Sequence, residues 1–274
     1  MARTIVITGA SDGIGAAAAK MLAYPGDRLV VVGRSPAKTK AIADELEADS
    51  FITDFTELAQ VRELAAALAE KYPRIDVLAN NAGGIMAGRE LTVDGHEKTF
   101  QVNHLAPFLL TTLLIDSLVA SRATVINTSS QANRIMAKFD IDDLDAGKKY
   151  SANAAYGNAK LENIMFTREL QRRYGDHGIS AAAFHPGVVA SGFSAESNWI
   201  TKLMYGSFAQ RFMLSPAQGA DTLVWLATSV PGDDWTPGEF YAKRKVAKAN
   251  RLAYDPALAL SLWEQSAAMV AGAA

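Results

Sequence analysis

The chain has 274 residues, of which 49% are hydrophobic and 20% are charged, so it can build a sizeable folded core and does not have the composition of a disordered chain. Its formal net charge of −2 gives no support to nucleic acid or an anionic membrane as a partner, and any anion-binding site must be local. The chain contains no cysteine, which excludes disulfides, thiolate metal sites and a cysteine nucleophile, and which fits a reducing cytosol.

The sequence shows no segment typical of export or membrane insertion. Residues Met1–Thr4 lead directly into a three-residue apolar run and a glycine-rich turn, which together are too short for a secretory core. Every apolar run is far shorter than the ~20 residues needed to cross a bilayer. We therefore expect a cytoplasmic protein without a membrane span.

Short runs of strand composition alternate with alanine-rich stretches of helical composition. The predicted strands are Thr4–Thr8, Arg28–Gly33, Ser50–Thr53, Ile75–Ala79, Ala123–Thr128, Ile179–Phe184 and Glu239–Tyr241, and the clearest helices are Ala16–Leu22, Leu58–Lys71 and Ala154–Arg173. The strands lack strict polar–apolar alternation, which is typical of strands buried on both faces of a parallel sheet. We predict an α/β fold: a single-domain doubly wound (Rossmann-type) parallel sheet of about seven strands, with helices on both faces and ligands at the carboxyl ends of the strands.

The first predicted strand ends in a glycine-rich turn, Thr8-Gly9-Ala10-Ser11-Asp12-Gly13-Ile14-Gly15, and a helix follows. Glycines at such a turn let the backbone bend tightly and approach a pyrophosphate, whose charge the helix N-terminus stabilises. The pattern predicts a dinucleotide site, because the Gly-Lys-Ser/Thr of a nucleoside-triphosphate loop does not follow. A purely structural turn is the weaker interpretation.

The end of the second predicted strand indicates which dinucleotide is bound. A site for NAD usually carries Asp or Glu at this point, to hold the ribose 2′-hydroxyl. Here the residues are Gly33-Arg34-Ser35, with Lys38 one helical turn further on. An arginine can clamp a 2′-phosphate through paired hydrogen bonds, so we predict that NADP(H) is preferred over NAD(H). The alternative is an exposed arginine at a strand end.

Tyr156 and Lys160 are four residues apart and share one face of a predicted helix. A free phenol titrates near 10, so proton transfer near neutral pH requires its pKa to fall by about three units, or roughly 4 kcal/mol. A nearby cation supplies part of that change by favouring the phenolate. The spacing alone is common by chance and has weak predictive value.

The order of the motifs resembles the short-chain dehydrogenase/reductase family from about Thr4 to Tyr241. Thr8–Gly15 is similar to the TGxxxGxG turn of that family, Asn80–Gly83 to its NNAG motif and Tyr156–Lys160 to its YxxxK motif. Further landmarks are Asp54-Phe55 after the third strand, Asn103 in Val102-Asn103-His104, Ser130 at the end of a strand with Ser129 as the alternative, and Pro186–Ser191, which resembles PGxVxT. The insert Gln131–Ser151 and the tail Gly238–Tyr241 point to the retinol-dehydrogenase-like branch.

The resemblance implies roles for these residues. Tyr156 is expected to donate a proton to a carbonyl oxygen, Ser130 to hydrogen-bond that oxygen, and Lys160 to bind the nicotinamide ribose and lower the pKa of the tyrosine. Asn103 is expected to hold a water in a proton relay. The expected catalytic residues are thus Asn103, Ser130, Tyr156 and Lys160, and the expected cofactor-binding residues are Gly9, Ser11, Asp12, Gly13, Ile14, Gly15, Arg34, Asp54, Phe55, Asn81, Ala82, Gly83, Tyr156, Lys160, Pro186 and Val189.

Other features favour structural interpretations. The four histidines lack metal-site spacing, the acidic cluster near Asp140 lacks the glycine and glutamate of a calcium loop, and no metal site is predicted. Residues 192–216 are rich in apolar side chains and are either a lid over the substrate or a surface helix that buries one face. We predict one domain over residues 1–274, with inserts at about 131–152 and a substrate lid at about 192–216.

The residues and the resemblance together predict an NADP(H)-dependent oxidoreductase that moves a hydride between nicotinamide and a carbonyl or alcohol, with an apolar aldehyde or ketone favoured as substrate. The alternative is a catalytically silent NADP(H)-binding sensor or scaffold, against which the intact Ser130, Tyr156 and Lys160 argue. A sugar-nucleotide epimerase would need a larger segment after Tyr241. Association into a homo-oligomer stays open.

Overall fold

A computed structural model describes residues 2–189 and 213–272 and contains one eight-stranded sheet. The strands are β1 Thr4–Thr8, β2 Arg28–Gly33, β3 Asp49–Ile52, β4 Val77–Asn80, β5 Thr124–Thr128, β6 Ser180–His185, β7 Phe240–Ala242 and β8 Lys245–Val246. Their order in the sheet is β3-β2-β1-β4-β5-β6-β7-β8. The chain winds outward from β1 in one direction and from β4 in the other, so the crossover reverses between these two strands. The predicted doubly wound parallel fold is confirmed.

The eighth strand is the difference from the predicted count. β8 has two residues and pairs antiparallel with β7 through a tight turn at Lys243 and Arg244. Both turn residues have positive φ, 52° and 58°, a conformation in which hairpins usually place Asn or Gly. A strand of two residues is too short to form a β-rich run, and its turn contains no glycine. The sequence therefore does not predict β8.

Helices cover both faces of the sheet. They are α1 Gly13–Leu22, α2 Pro36–Leu46, α3 Leu58–Lys71, α4 Lys98–Phe100, α5 Ala106–Leu113, α6 Ile115–Ser121, α7 Ala132–Ile135, α8 Ala152–Tyr174, α9 Pro216–Thr228 and α10 Pro256–Gly272, with a π-helical turn at Gln101–Leu105 between α4 and α5 and a 3₁₀ turn at Arg251–Tyr254 before α10. Successive residues of β1 enter different apolar clusters: Val6 packs with α3, α5, α8 and α10, whereas Ile5 and Ile7 pack with α1 and α9. Both faces of β1 are therefore buried away from water, which explains why the strand sequences are continuous apolar runs.

Within residues 2–189 and 213–272, no single helix has the length and apolar composition needed to cross a membrane. The segments Lys98–Leu113 and Ile115–Ser121 pass that test only as a pair, and the pair is bent by 64°.

The two predicted inserts differ in how much of them the structure describes. In the first insert, α7 lies near its start, and the acidic residues that follow are tied to neighbouring groups. Lys148 Nζ lies 3.0 Å from Asp140 Oδ2, and the backbone N–H of Gly147 donates to Asp143 Oδ1 at 2.7 Å. Most of the predicted lid, residues 192–212, lies outside the described residues. The described residues continue from Met213, and Leu214 forms a parallel bridge with Val189.

Candidate active site

The carboxyl ends of β1 and β4 are joined by the hydroxyl of Thr8. Thr8 Oγ1 accepts hydrogen bonds from the backbone N–H groups of Asn81 and Ala82, both at 3.0 Å. The side-chain amide of Asn81 donates to the carbonyl oxygens of Thr8 at 3.0 Å and Gly9 at 3.3 Å. These bonds hold the Asn80–Gly83 segment against the glycine turn, so two of the predicted motifs form one structural unit.

Two glycines of the turn are required by close approach. Gly9 has a φ of +65°, and a Cβ on it would lie 2.8 Å from Ala82 Cα. A Cβ on Gly15 would lie 2.2 Å from the carbonyl oxygen of Gly9. The turn therefore packs directly against both α1 and the β4 end, as a pyrophosphate-binding turn does. Asp12 caps α1 by accepting the Gly13 N–H at 2.7 Å.

A cavity of about 390 Å³ opens beside this turn, between the ends of β2 and β4. Seven of the predicted cofactor-binding residues line it: Gly9, Ser11, Arg34, Asp54, Phe55, Ala82 and Gly83. Asp54 is held by its own loop, because its Oδ1 accepts from the backbone N–H and the hydroxyl of Thr56, both at 2.9 Å. The cavity has the size and the mixed lining of a site for part of a dinucleotide.

Arg34 reaches this cavity because Gly33 precedes it. A Cβ on Gly33 would lie 2.3 Å from Thr39 Oγ1 and 2.8 Å from Ser11 Cβ, so the glycine lets β2 and the turn approach each other. Lys38 also lines the cavity and forms an exposed ion pair with Asp12, its Nζ lying 2.7 Å from Oδ2. That contact holds the pKa of Asp12 below its usual value. Two cations thus stand at the position where an NAD site carries an acid.

The two neighbouring serines at the end of β5 have different partners. Ser129 is buried, and its hydroxyl donates to the carbonyl oxygen of Lys160 at 2.6 Å, which ties β5 to α8. The Ser130 hydroxyl instead hydrogen-bonds the Tyr156 phenol and accepts the Ala132 N–H at 3.2 Å. The structure therefore brings Ser130, rather than Ser129, to the tyrosine.

Tyr156 and Lys160 face each other as the spacing predicts, with the Lys160 Nζ 5.4 Å from the centre of the phenol ring. The lysine is only 2% exposed, and its Nζ donates to the Thr128 carbonyl oxygen at 3.2 Å. Burial lowers the pKa of Lys160 from 10.5 to about 7. The charged form of the amine is therefore much less favoured here than in a lysine exposed to water.

The expected lowering of the tyrosine pKa by Lys160 is not found in this structure. Burial raises the pKa of Tyr156 to about 12, and the hydrogen bond with Ser130 opposes that rise. The side chain as a whole is only partly covered, but its hydroxyl lies deep enough for desolvation to dominate. The physical reason is that the same enclosure acts on both groups and disfavours the charged form of each.

Asn103 lies in the π-helical turn Gln101–Leu105 and is buried. Its side-chain amide donates to the carbonyl oxygens of Gly84 at 2.7 Å and Thr99 at 2.8 Å, and its Oδ1 accepts the Gly84 N–H at 3.1 Å. A Cβ on Gly83 would lie 2.5 Å from Asn103 Oδ1 and 3.2 Å from Lys160 Nζ. Asn103 is therefore placed beside Lys160, and π-turns of this kind occur often at functional sites.

The segment after β6 reaches the glycine turn from the other side. A Cβ on Gly219 of α9 would lie 2.5 Å from Val189 Cγ2 and 3.2 Å from Ile14 Cγ1, so these two predicted cofactor-binding side chains converge there. Pro186 follows His185, whose pKa burial lowers to about 4.

His104 is a core residue: its ring stacks on Phe100 at 5.6 Å, and its Nε2 lies 2.9 Å from Ser266 Oγ. The described part of the chain holds no group of three or more metal-ligating side chains.

Several residues of the site were not predicted from the sequence. Gly157 follows Tyr156 directly, and a Cβ on it would lie 2.5 Å from the backbone nitrogen of Ala137, so α8 and the end of α7 touch through their backbones. The cavity is also lined by Thr53, Gly84, Ile85, Met86 and Val102. A glycine inside a helix next to a candidate catalytic tyrosine could have been read as a sign of close packing.

Comparison with known proteins agrees with this geometry. The family profile described as short chain dehydrogenase matches residues 3–199. The Streptomyces sp. (strain C5) protein named "Putative daunorubicin C-13 ketoreductase DnrU" is 43% identical over 98% of this chain and 92% of its own length, and retinol dehydrogenase 12 of Mus musculus is 35% identical over 96% and 85%. A solved structure of an uncharacterized protein from Mycobacterium paratuberculosis is 30% identical, covers 98% of this chain and 93% of its own, and superposes with a TM-score of 0.79. The chain therefore belongs to the short chain dehydrogenase family, in its retinol-dehydrogenase-like branch, and is an oxidoreductase of the hydride-transferring kind.

Proposed function

We propose that the protein is an NADP(H)-dependent reductase of apolar aldehydes or ketones, with Tyr156 as its proton donor. The observation that carries the proposal is the contact among Ser130, Tyr156 and Lys160 at the carboxyl edge of the sheet, next to a cavity lined by Arg34. We take the chain to act as one cytoplasmic domain.

The residues present fit a nicotinamide dinucleotide. Gly9 and Gly15 let the turn pack closely where a Cβ would clash, Gly9 and Ser11 of that turn line the cavity at the start of α1, and the cavity continues to Arg34. The bound dinucleotide supplies the hydride, which is chemistry that protein side chains lack. The glycine turn, Asp54 and Phe55 would hold one end, and Lys160, Pro186 and Val189 the other.

The side chains of this site divide the remaining work. Ser130 donates a hydrogen bond to the substrate oxygen and stabilises the negative charge that develops there. Tyr156 passes its proton to the same oxygen. The raised pKa keeps the phenol protonated at neutral pH, as a proton donor must be, in place of the lowered pKa that the sequence led us to expect. Lys160, with a pKa of about 7, can return a proton to the phenol, and Asn103 stands beside it for relay through water.

The preference for NADP(H) rests on charge. Arg34 and Lys38 line the cavity at the end of β2, and no Asp or Glu occupies that strand end. An acid there would hold the ribose 2′-hydroxyl of NAD and repel the 2′-phosphate of NADP. A guanidinium forms paired hydrogen bonds with phosphate, which supports the assignment of Arg34 as the specificity residue.

The preference for apolar substrates rests on exposed apolar groups near the site. Ile135, which is 75% exposed, lies five residues after Ser130, and Val188, which is 49% exposed, lies two residues after Pro186. The relatives named above are called a daunorubicin C-13 ketoreductase and a retinol dehydrogenase, and retinol is a largely apolar alcohol.

The decisive experiment follows NADPH absorbance with a panel of aldehydes and ketones, beginning with medium-chain aldehydes, and repeats each assay with NADH. We expect turnover with NADPH that exceeds turnover with NADH. Binding of NADPH, seen by fluorescence, without turnover of any carbonyl would instead support the alternative, a silent cofactor-binding sensor. A preference for NADH would contradict the role of Arg34.

A further inference from the structure

The turn that carries Ser130 is held by a buried amide. Asn133 is 0% exposed, although it lies only three residues after Ser130. Its Nδ2 donates to the carbonyl oxygen of Ser130 at 2.5 Å, and its backbone N–H donates to the same oxygen at 3.1 Å. This carbonyl therefore receives two hydrogen bonds, which fix the orientation of the peptide that bears the Ser130 side chain.

The other side of the amide is bound by a residue 117 positions away. Asn133 Oδ1 accepts the backbone N–H of Asn250 at 2.8 Å, and the Asn133 carbonyl oxygen accepts Asn250 Nδ2 at 3.1 Å. Asn250 Oδ1 in turn accepts the Leu252 N–H at 3.1 Å and so caps the 3₁₀ turn before α10. The amide of Asn133 is thus a bridge between the Ser130 turn and the C-terminal segment.

The C-terminal segment is itself packed on the helix that carries Tyr156. Trp263 of α10 contacts Phe108 of α5 and Phe166 of α8, with ring centres 5.0 and 5.7 Å away. A second contact closes the arrangement, because the Lys138 N–H donates to Asn158 Oδ1 of α8 at 2.8 Å. The Ser130 turn is therefore attached to α8 through Asn250 and α10, and the segment that follows the turn is attached to α8 directly at Asn158.

We propose that Asn133 is a positioning residue, which through Asn250 sets the distance between the Ser130 hydroxyl and the Tyr156 phenol. This inference rests on the proposed function. The position needs a donor toward the Ser130 carbonyl and an acceptor toward the Asn250 N–H, and a primary amide supplies both. An aspartate would place an oxygen against the Ser130 carbonyl oxygen and leave that group with one donor fewer in a buried site.

The variants Asn133→Asp and Asn250→Asp test the bridge from both ends. Asn250→Asp keeps a side-chain oxygen to cap Leu252 and the backbone N–H that donates to Asn133 Oδ1. It removes only the side-chain donor to the Asn133 carbonyl oxygen, so it weakens the bridge without removing the cap. We expect both variants to lower kcat on the order of tenfold to a hundredfold, while the Kd for NADPH stays within about twofold.

A double-mutant cycle distinguishes positioning from a general loss of structure. If Asn133 acts through the serine, Asn133→Asp should have little further effect on kcat in a Ser130→Ala background. Additive losses, or a native kcat in folded Asn133→Asp, would overturn the proposal. Circular dichroism checks folding, and if Asn133→Asp does not fold, Asn250→Asp decides by the same criteria.

The outcomes also separate this inference from the proposed function. A wild-type protein that reduces no carbonyl with NADPH contradicts the proposed function, and the role of Asn133 in that reaction with it. A wild-type enzyme with normal turnover, together with fully active Asn133→Asp and Asn250→Asp variants, contradicts the positioning role and leaves the proposed function intact.

Discussion

Replacement of Lys160 by methionine is expected to stabilise the fold while it removes activity. The amine is buried, and its pKa falls from 10.5 to about 7 in the folded protein. At ~1.4 kcal/mol for each pH unit, the gap between these values corresponds to about 5 kcal/mol of folding free energy lost below pH 7. Methionine has a similar length, carries no charge and removes this cost.

The hydrogen bond lost in the variant offsets only part of the gain. Lys160 Nζ donates to the Thr128 carbonyl oxygen, but that oxygen also accepts Asn163 Nδ2 at 3.0 Å and so stays partnered. At pH 7 the penalty is about 4 kcal/mol, because the folded amine is already partly deprotonated near its pKa. A hydrogen bond contributes ~1 kcal/mol net, so the free energy of unfolding at pH 7 should rise by about 3 kcal/mol.

The pH dependence gives the sharper test. The folded pKa of Lys160 lies below the unfolded value, so the unfolded chain binds more protons between about pH 7 and pH 10.5. The penalty is complete below pH 7 and disappears as the pH rises through 10.5. The stability gap between the methionine variant and the wild type should therefore narrow from neutral to alkaline pH.

Urea unfolding followed by circular dichroism, without cofactor and at several pH values from about 6.5 to 10, measures this gap. The exposed Lys248→Met is the matched control and should leave stability unchanged within about 0.5 kcal/mol. A Lys160→Met protein that is less stable than the wild type at pH 7, or a gap that does not change with pH, would refute the reasoning.

Four further outcomes are expected. Tyr156→Phe should keep NADPH affinity and lower kcat by ~10²–10⁴-fold, since it removes only the proton donor, and a near-normal kcat would exclude the mechanism. Arg34→Ala should weaken NADPH binding by roughly tenfold to a hundredfold and NADH binding little, and equal losses in titrations of the two cofactors would show a structural role. Gly157→Ala should cost ~1–3 kcal/mol of stability and lower kcat, because its Cβ would lie 2.5 Å from the Ala137 nitrogen. The control is Gly88→Ala, whose Cβ would have no atom within 4 Å, and it should change neither the thermal melt nor the rate. Across straight-chain aldehydes, kcat/KM should rise by about fourfold for each buried methylene until the pocket is full, and a flat series or a preference for charged substrates would contradict an apolar pocket.

The choice between Ser129 and Ser130 as the proposed catalytic serine illustrates what could not be predicted from local pattern. Ser129 and Ser130 are adjacent and chemically identical, and only the placement of α8 against β5 gives one of them to the Lys160 carbonyl and the other to the Tyr156 phenol. The sign of the tyrosine pKa change has the same origin. Desolvation depends on atoms from many elements, so a favourable Tyr–Lys spacing did not predict that burial would outweigh the cation.

Features that depend on neighbours along the chain could be predicted from the sequence alone. Apolar runs predict strands buried on both faces, glycines after β1 predict a tight turn, and a spacing of four places Tyr156 and Lys160 on one helix face, because each is set by backbone geometry over a few residues. The tertiary structure decided the features that join distant segments: the two-residue β8, the backbone contact at Gly157, and the bridge from Asn133 to Asn250. All three escape prediction for the same reason. Such contacts form only after the sheet has brought together distant segments, and these segments carry no periodic signal of their own.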